Sequence, residues 1–157
     1  MNCRHCKNEL SFEFADLGFS PPSNAFLTMA QLNEPETFYP LKTMVCEKCL
    51  LVKIDKFAKH DDIFNADYAY FSSFSTSWLA HAKAYTEMMI KRFGFNAGSQ
   101  VIEIASNDGY LLQYFAAQGV PVLGIEPTAN TAAAAKEKGI ESVVDFFGVR
   151  LATSLAA

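Results

Sequence analysis

The sequence predicts an α/β chain in two unequal parts: a small, zinc-ribbon-like N-terminal module, then the first half of an open, Rossmann-like parallel sheet flanked by helices. Three observations predict it. All four cysteines fall into two Cys-x-x-Cys pairs, Cys3/Cys6 and Cys46/Cys49. The first sixty residues carry most of the prolines and only short apolar runs, a texture of loops and short strands. From Asn96 onward, strand and helix signals alternate. These features divide the chain into a zinc-binding domain at 1–60, a helix-bearing linker at 61–96 and a partial sheet domain at 97–157.

Half of the 157 residues are hydrophobic, enough for a packed core and unlike a disordered chain. The formal net charge of −4 provides no general attraction to nucleic acid or to an anionic membrane. No apolar run approaches the ~18 residues of a membrane span. The opening Met1-Asn-Cys-Arg-His-Cys6 lacks the apolar stretch of a signal peptide. The expected setting is therefore cytoplasmic, with no nucleic-acid or membrane partner. In a reducing compartment, paired cysteines read as thiolate ligands or redox groups rather than disulfides.

Each knuckle offers two thiolates from one tight turn, and two turns complete a closed tetrahedral site. Cys3, Cys6, Cys46 and Cys49 are thus the expected ligands of one structural zinc. The 39 residues from Lys7 to Val45 exceed the usual ribbon spacing of ~15–20, which points to an insertion inside the ribbon. Loop-closure entropy grows slowly enough with length to permit it. Unmetallated cysteines and a thioredoxin-like redox motif are the competing readings. Replacement of one thiolate by His5 is disfavoured, because His5 sits inside the first knuckle.

A helix is expected from Ser75 or Ser77 to about Arg92. Trp78, Leu79, Ala82, Tyr85, Met89 and Phe93 recur at helical spacing, a serine caps the start, and Gly94 marks the stop. Val101–Ala105 reads as a buried parallel strand, Tyr110–Gln118 as a helix and Val120–Ile125 as a second strand. Thr128–Lys138 reads as an alanine-rich helix capped by Thr128, Ser142–Phe146 as a third strand, and Gly148–Leu155 as a last helix. In a doubly wound sheet the first strand is central. Nothing here could pair with its other edge, so the chain is expected to be a piece of a longer protein.

Ser106-Asn107-Asp108-Gly109 joins the first strand to its helix. This is where open α/β sheets bind ligands. The G-x-G-x-x-G of dinucleotide sites is absent. Glu126, ending the next strand, suits a ribose diol. Glu103 and Asp108 disfavour phosphate and favour a cation. Together these suit S-adenosylmethionine, although an ordinary Asn-Asp-Gly turn is the plain alternative.

The run Glu103-Ile-Ala-Ser-Asn-Asp-Gly-Tyr110, followed by Gly124-Ile-Glu-Pro127, resembles the S-adenosylmethionine-dependent sugar C-methyltransferase family. Ala105 and Asn107 stand where many methyltransferases have glycine. Cys3-Arg-His-Cys6, Asp16-Leu-Gly18, Pro22-Ser-Asn24-Ala-Phe-Leu27, Tyr39-Pro-Leu41 and Cys46-Glu-Lys-Cys49-Leu-Leu-Val52 are similar, in order, to its zinc-binding N-terminal domain. Tyr68 to Ser77 resembles its linker.

The resemblance implies methyl transfer to a carbon beside a ketone of a nucleotide-linked deoxysugar. It places the cofactor at Glu103, Ala105, Asn107, Asp108, Gly109, Glu126 and Pro127, with Tyr70 and Ser72 closing the methionine end. It puts the catalytic base and the sugar-binding residues beyond Ala157, so the chain alone is expected to be inactive and its catalytic residues are unknown. For Tyr68, Tyr70, Phe71 and Phe74, core packing is the competing reading. His60 and His81 are assigned no role. A methyltransferase with an oxygen or nitrogen acceptor, and a non-catalytic zinc-ribbon interaction module, are the alternative functions.

Overall fold

The computed structural model describes residues 1–54, 57–59, 63–65 and 68–157. They form two compact units, Met1–Ile63 and Phe64–Ala157. The expected boundary at residues 60 and 61, and His60 with it, lies outside the described residues.

The first unit is an antiparallel sheet, β1 (Phe12–Ser20), β2 (Tyr39–Val45) and β3 (Val52–Ile54), in that order. Phe12 pairs with Val45 and Ser20 with Tyr39, and the register slips twice, between Glu13 and Ala15 and between Asp16 and Phe19. Among the described residues its buried core is Cys3, Leu10, Met44 and Cys46, with Cys6, Cys49 and Leu51 packed against it. The cysteines are therefore the centre of this module's interior. Phe14, Phe19, Phe26 and Met29 stay exposed.

The second unit opens with a 3-10 turn, Ser72–Phe74, and helix α1 (Thr76–Phe93). The Ser75 side chain accepts the Trp78 N–H, and Gly94 ends the helix at φ 69°. Both ends therefore follow the cap chemistry in the sequence. The parallel sheet is β4 (Val101–Ile104), β5 (Val122–Ile125) and β6 (Ser142–Val143), in sequence order. Helices α2 (Leu112–Ala117) and α3 (Ala129–Glu137) connect the strands, and α4 (Val149–Leu155) follows. Leu112, Ala135 and Ile140 form the core, with Val101 and Val122 packed against it.

Several elements differ from the sequence expectation. The helix expected from Tyr110 begins at Leu112, because Gly109, at φ 74°, and Tyr110 belong to the turn that precedes it. The third strand is two residues rather than five. Thr128 holds the N-cap position of α3 without capping it, because its hydroxyl donates to Glu126 instead. The apolar face of α1 is not fully covered: Ala82 and Thr86 are buried, whereas Trp78, Tyr85 and Phe93 are exposed. Among the described residues β4 pairs on one side only, and Ile102 and Ile104 are 49% and 54% exposed.

Candidate functional site

The four cysteines form one cluster. Their sulfurs all lie within 4.8 Å of one another. Cys3 Sγ is 3.6 Å from Cys49 Sγ, and Cys6 Sγ is 3.5 Å from Cys46 Sγ. A disulfide would bring sulfurs to ~2.05 Å. A tetrahedral zinc with bonds of ~2.3 Å separates its sulfurs by about 3.8 Å, so the spacing fits the ion.

The chain makes the same turn twice to achieve this. Lys7 N–H donates to Cys3 O at 3.0 Å and Leu50 N–H to Cys46 O at 2.8 Å, with Lys7 and Leu50 both at φ 62°. The Cys6 and His5 backbone N–H groups draw the Cys3 thiol down to about 6, against the effect of burial. The Cys49 and Lys48 N–H groups likewise lower Cys46. Cys49 is drawn down by the Leu51 N–H, but burial and the three neighbouring thiols outweigh this and push it to about 12. Four thiolates this close need a cation between them to be charged together. His5 is exposed and outside the cluster.

In the second unit a cavity of ≈ 410 Å³ opens at the carboxyl ends of the strands. Of the residues expected at the cofactor, Ala105, Asn107, Glu126, Pro127, Tyr70 and Ser72 line it. Glu103, Asp108 and Gly109 do not. Glu103 instead lines a groove along β4 with Tyr85, Met89 and Phe93. Asp108 is buried and turned to Lys138, and Gly109 shapes the loop against Ile140.

Asn107 is the hub of the cavity's floor. Its N–H donates to Glu126 Oε2 at 2.8 Å. Its side chain accepts the Ser72 N–H at 2.9 Å and donates to Tyr70 O at 3.1 Å. Glu126 Oε1 accepts the N–H and hydroxyl of Thr128, at 2.9 and 2.5 Å, and the Thr128 and Thr131 hydroxyls bond each other. Glu126 is thus buried and oriented by three donors. Oε2 accepts from one of them and has a lone pair for another.

The remaining walls are Phe64, Tyr68, Ile104, Tyr110, Ile125, Asp145, Phe146 and Phe147. Asp145–Phe147 follow β6 and so sit where an open α/β sheet binds ligands; no sequence pattern marks Phe64. Arg150, 2.5 Å away, holds the Asp145 carboxyl below its usual range. Burial pushes Glu103 up to about 7; the Tyr110 hydroxyl pulls it down, and the charges of Glu126 and Asp108 raise it further. Tyr68 and Tyr70 belong to the cavity wall rather than to a core, and Phe74 is exposed. His81 is exposed and stacks on Trp78 at 5.2 Å.

Two similarities to known proteins bear on this geometry. Residues 3–64 match a methyltransferase family model described as "Putative zinc binding domain". Over 154 residues the chain is 27% identical to C-methyltransferase NovU of Streptomyces niveus, covering 98% of this chain and 36% of that protein. The chain therefore spans about a third of the length of this curated relative. Both similarities are to methyltransferases, the class of enzyme that the motifs resemble.

Proposed function

We infer that this chain is part of a methyltransferase that moves a methyl group from S-adenosylmethionine to a carbon of a nucleotide-linked keto-deoxysugar, with zinc closing the module at residues 1–60. The observation that carries the reading is the chemistry of the cavity wall. Glu126 contributes a carboxylate and Asp145 a second, already paired with Arg150; Phe64, Tyr68, Tyr70, Tyr110, Phe146 and Phe147 contribute aromatic rings; no Lys, Arg or His stands among the described lining residues. Such a wall disfavours phosphate, and it suits a cationic ligand through both Coulomb and cation–π attraction. Its volume is within the usual range for small-molecule sites.

S-adenosylmethionine is a nucleoside without phosphate, and when bound it supplies an electrophilic methyl group on a sulfonium. Glu126 would accept hydrogen bonds from the ribose hydroxyls. The Ala105–Asn107 backbone would meet the methionine end, with Tyr70 and Ser72 closing it, and Pro127 would pack beside the adenine. Asp108 is already held by Lys138, so it would act through the loop rather than by touching the ligand. No residue of this chain is assigned as the catalytic base.

The test is transfer of labelled methyl from S-adenosylmethionine by the whole protein in which this chain occurs, with a nucleotide-linked keto-deoxysugar as acceptor. Label on a sugar carbon is the expected result. Label only on oxygen or nitrogen of another acceptor would overturn the carbon assignment. Absence of both transfer and cofactor binding would overturn the methyltransferase reading.

A further inference from the structure

We propose that Lys138 is a positioning residue of the cofactor site, clasping the Ser106–Gly109 loop to the segment Tyr68–Phe74 and so holding the floor of the cavity in shape for its ligand. The inference rests on the cofactor reading above. Lys138 follows α3 and does not line the cavity. Its ammonium has three donors, and all three are used: Nζ reaches Asp108 O at 2.7 Å, Asp108 Oδ2 at 3.0 Å and Ser73 Oγ at 2.6 Å. The acceptors come from two segments distant in sequence. In the same place the Ser73 N–H donates to Asp108 Oδ2 at 3.3 Å.

Burial decides the weight of this contact. The Asp108 side chain is 4% exposed and that of Lys138 is 30% exposed. An exposed ion pair contributes little. Here removal of the lysine would leave a buried carboxylate without its counter-charge, a strongly unfavourable arrangement. The loop would respond, because it is already held in an uncommon conformation: Ala105 and Asn107, both non-glycine, have φ of 60° and 49°. Such angles persist only where the surroundings over-determine them. Glu126 fixes the loop from one side, through the Asn107 N–H, and Lys138 fixes it from the other, through Asp108. Both segments that Lys138 joins contribute cavity residues, Asn107 from one and Tyr70 and Ser72 from the other. In sequence the lysine reads only as a cation at a helix end.

The test uses the whole protein and compares wild type, Lys138→Met, Lys138→Arg and the double variant Lys138→Met/Asp108→Asn. Calorimetry with S-adenosylhomocysteine should show at least tenfold weaker binding for Lys138→Met, with bound zinc close to wild type and a lowered melting temperature that the double variant recovers in part. Arginine should restore most of the affinity, and the double variant, which removes the unpaired charge, part of it. Amide hydrogen exchange without ligand should accelerate at Ser72, Ser73 and Gly109 in Lys138→Met and stay unchanged in β5. Wild-type affinity and exchange in Lys138→Met would overturn the proposal, as would a loss of affinity that neither Lys138→Arg nor the double variant relieves. Failure of wild type to bind S-adenosylhomocysteine would sink the cofactor reading, while the exchange experiment would still decide the clasp.

Discussion

Ala105 and Asn107 do different work at similar backbone angles. Both are left-handed, a conformation that costs an L-residue with a Cβ roughly 1–2 kcal/mol unless a local hydrogen bond offsets it. Asn107 gains long-range hydrogen bonds in exchange, its amide joining Ser72 and Tyr70; the methyl side chain of Ala105 can make none. Ala105→Gly should therefore stabilise the protein by about 1 kcal/mol in denaturant unfolding, less the entropy that glycine adds to the unfolded chain. Asn107→Gly should keep the loop but release the segment 68–74, visible as faster amide exchange there. The resemblance to methyltransferases marks these two positions as glycine sites, and the structure supplies the reason. The asparagine's bridging role was not legible, because its partners lie 35 and 37 residues away.

Glu103 gives a pH prediction at the same scale. Its folded pKa of about 7 is above the ordinary 4.5, chiefly through burial. Stability from this group is therefore fully present below about pH 4.5 and is lost as pH rises through about 7. The loss is of order 3 kcal/mol when it is complete. Melting temperatures followed from pH 4.5 to 8 should show Glu103→Gln gaining on wild type toward the alkaline end. A difference between the two proteins that does not change with pH would refute this assignment.

At the scale of elements, caps and breakers proved more legible than lengths. Ser75 and Gly94 bound α1 where the sequence places them. The strands are shorter than the apolar runs that predict them, because periodicity marks a buried segment without saying where its ladder of hydrogen bonds ends. Gly124 shows what a single sequence hides altogether. It reads as one more strand residue, yet a Cβ there would lie 2.4 Å from Ser106 Oγ and 2.5 Å from Ser142 Oγ. Both serines belong to the close approach of β5 to its neighbours. Gly124→Ala should cost about 1–3 kcal/mol as overpacking, measured by chemical denaturation, and should weaken cofactor binding by shifting Ser106 beside Asn107. Phe64, a cavity residue far from every strand in sequence, was not legible because no local pattern ties it to the strand ends.

At the scale of the molecule, the two units depend on different forces. The parallel-sheet unit has an aliphatic core. Among the described residues, two of the clustered cysteines lie in the buried core of the N-terminal module, so a zinc ion held there would couple its binding to folding. A strong chelator, or Cys46→Ser, should unfold residues 1–54, read as loss of the β1–β2 amide protection, while protection in β4 and β5 persists. Loss of protection in both units together would show that they fold as one. The cysteine cluster was the most legible feature of the chain, because two knuckles bring four thiols to one place. The cavity was legible only in part. Its acid at Glu126 and its loop stand out, whereas its aromatic walls come from the ends of several segments.

We propose above all that this cavity binds S-adenosylmethionine through Glu126. Calorimetric titration of the whole protein with S-adenosylhomocysteine tests it most directly, with Glu126→Ala as the comparison. Binding should be saturable and one-to-one, and Glu126→Ala should weaken it at least tenfold with the zinc content unchanged. Absence of binding, or binding that Glu126→Ala leaves intact, would contradict it.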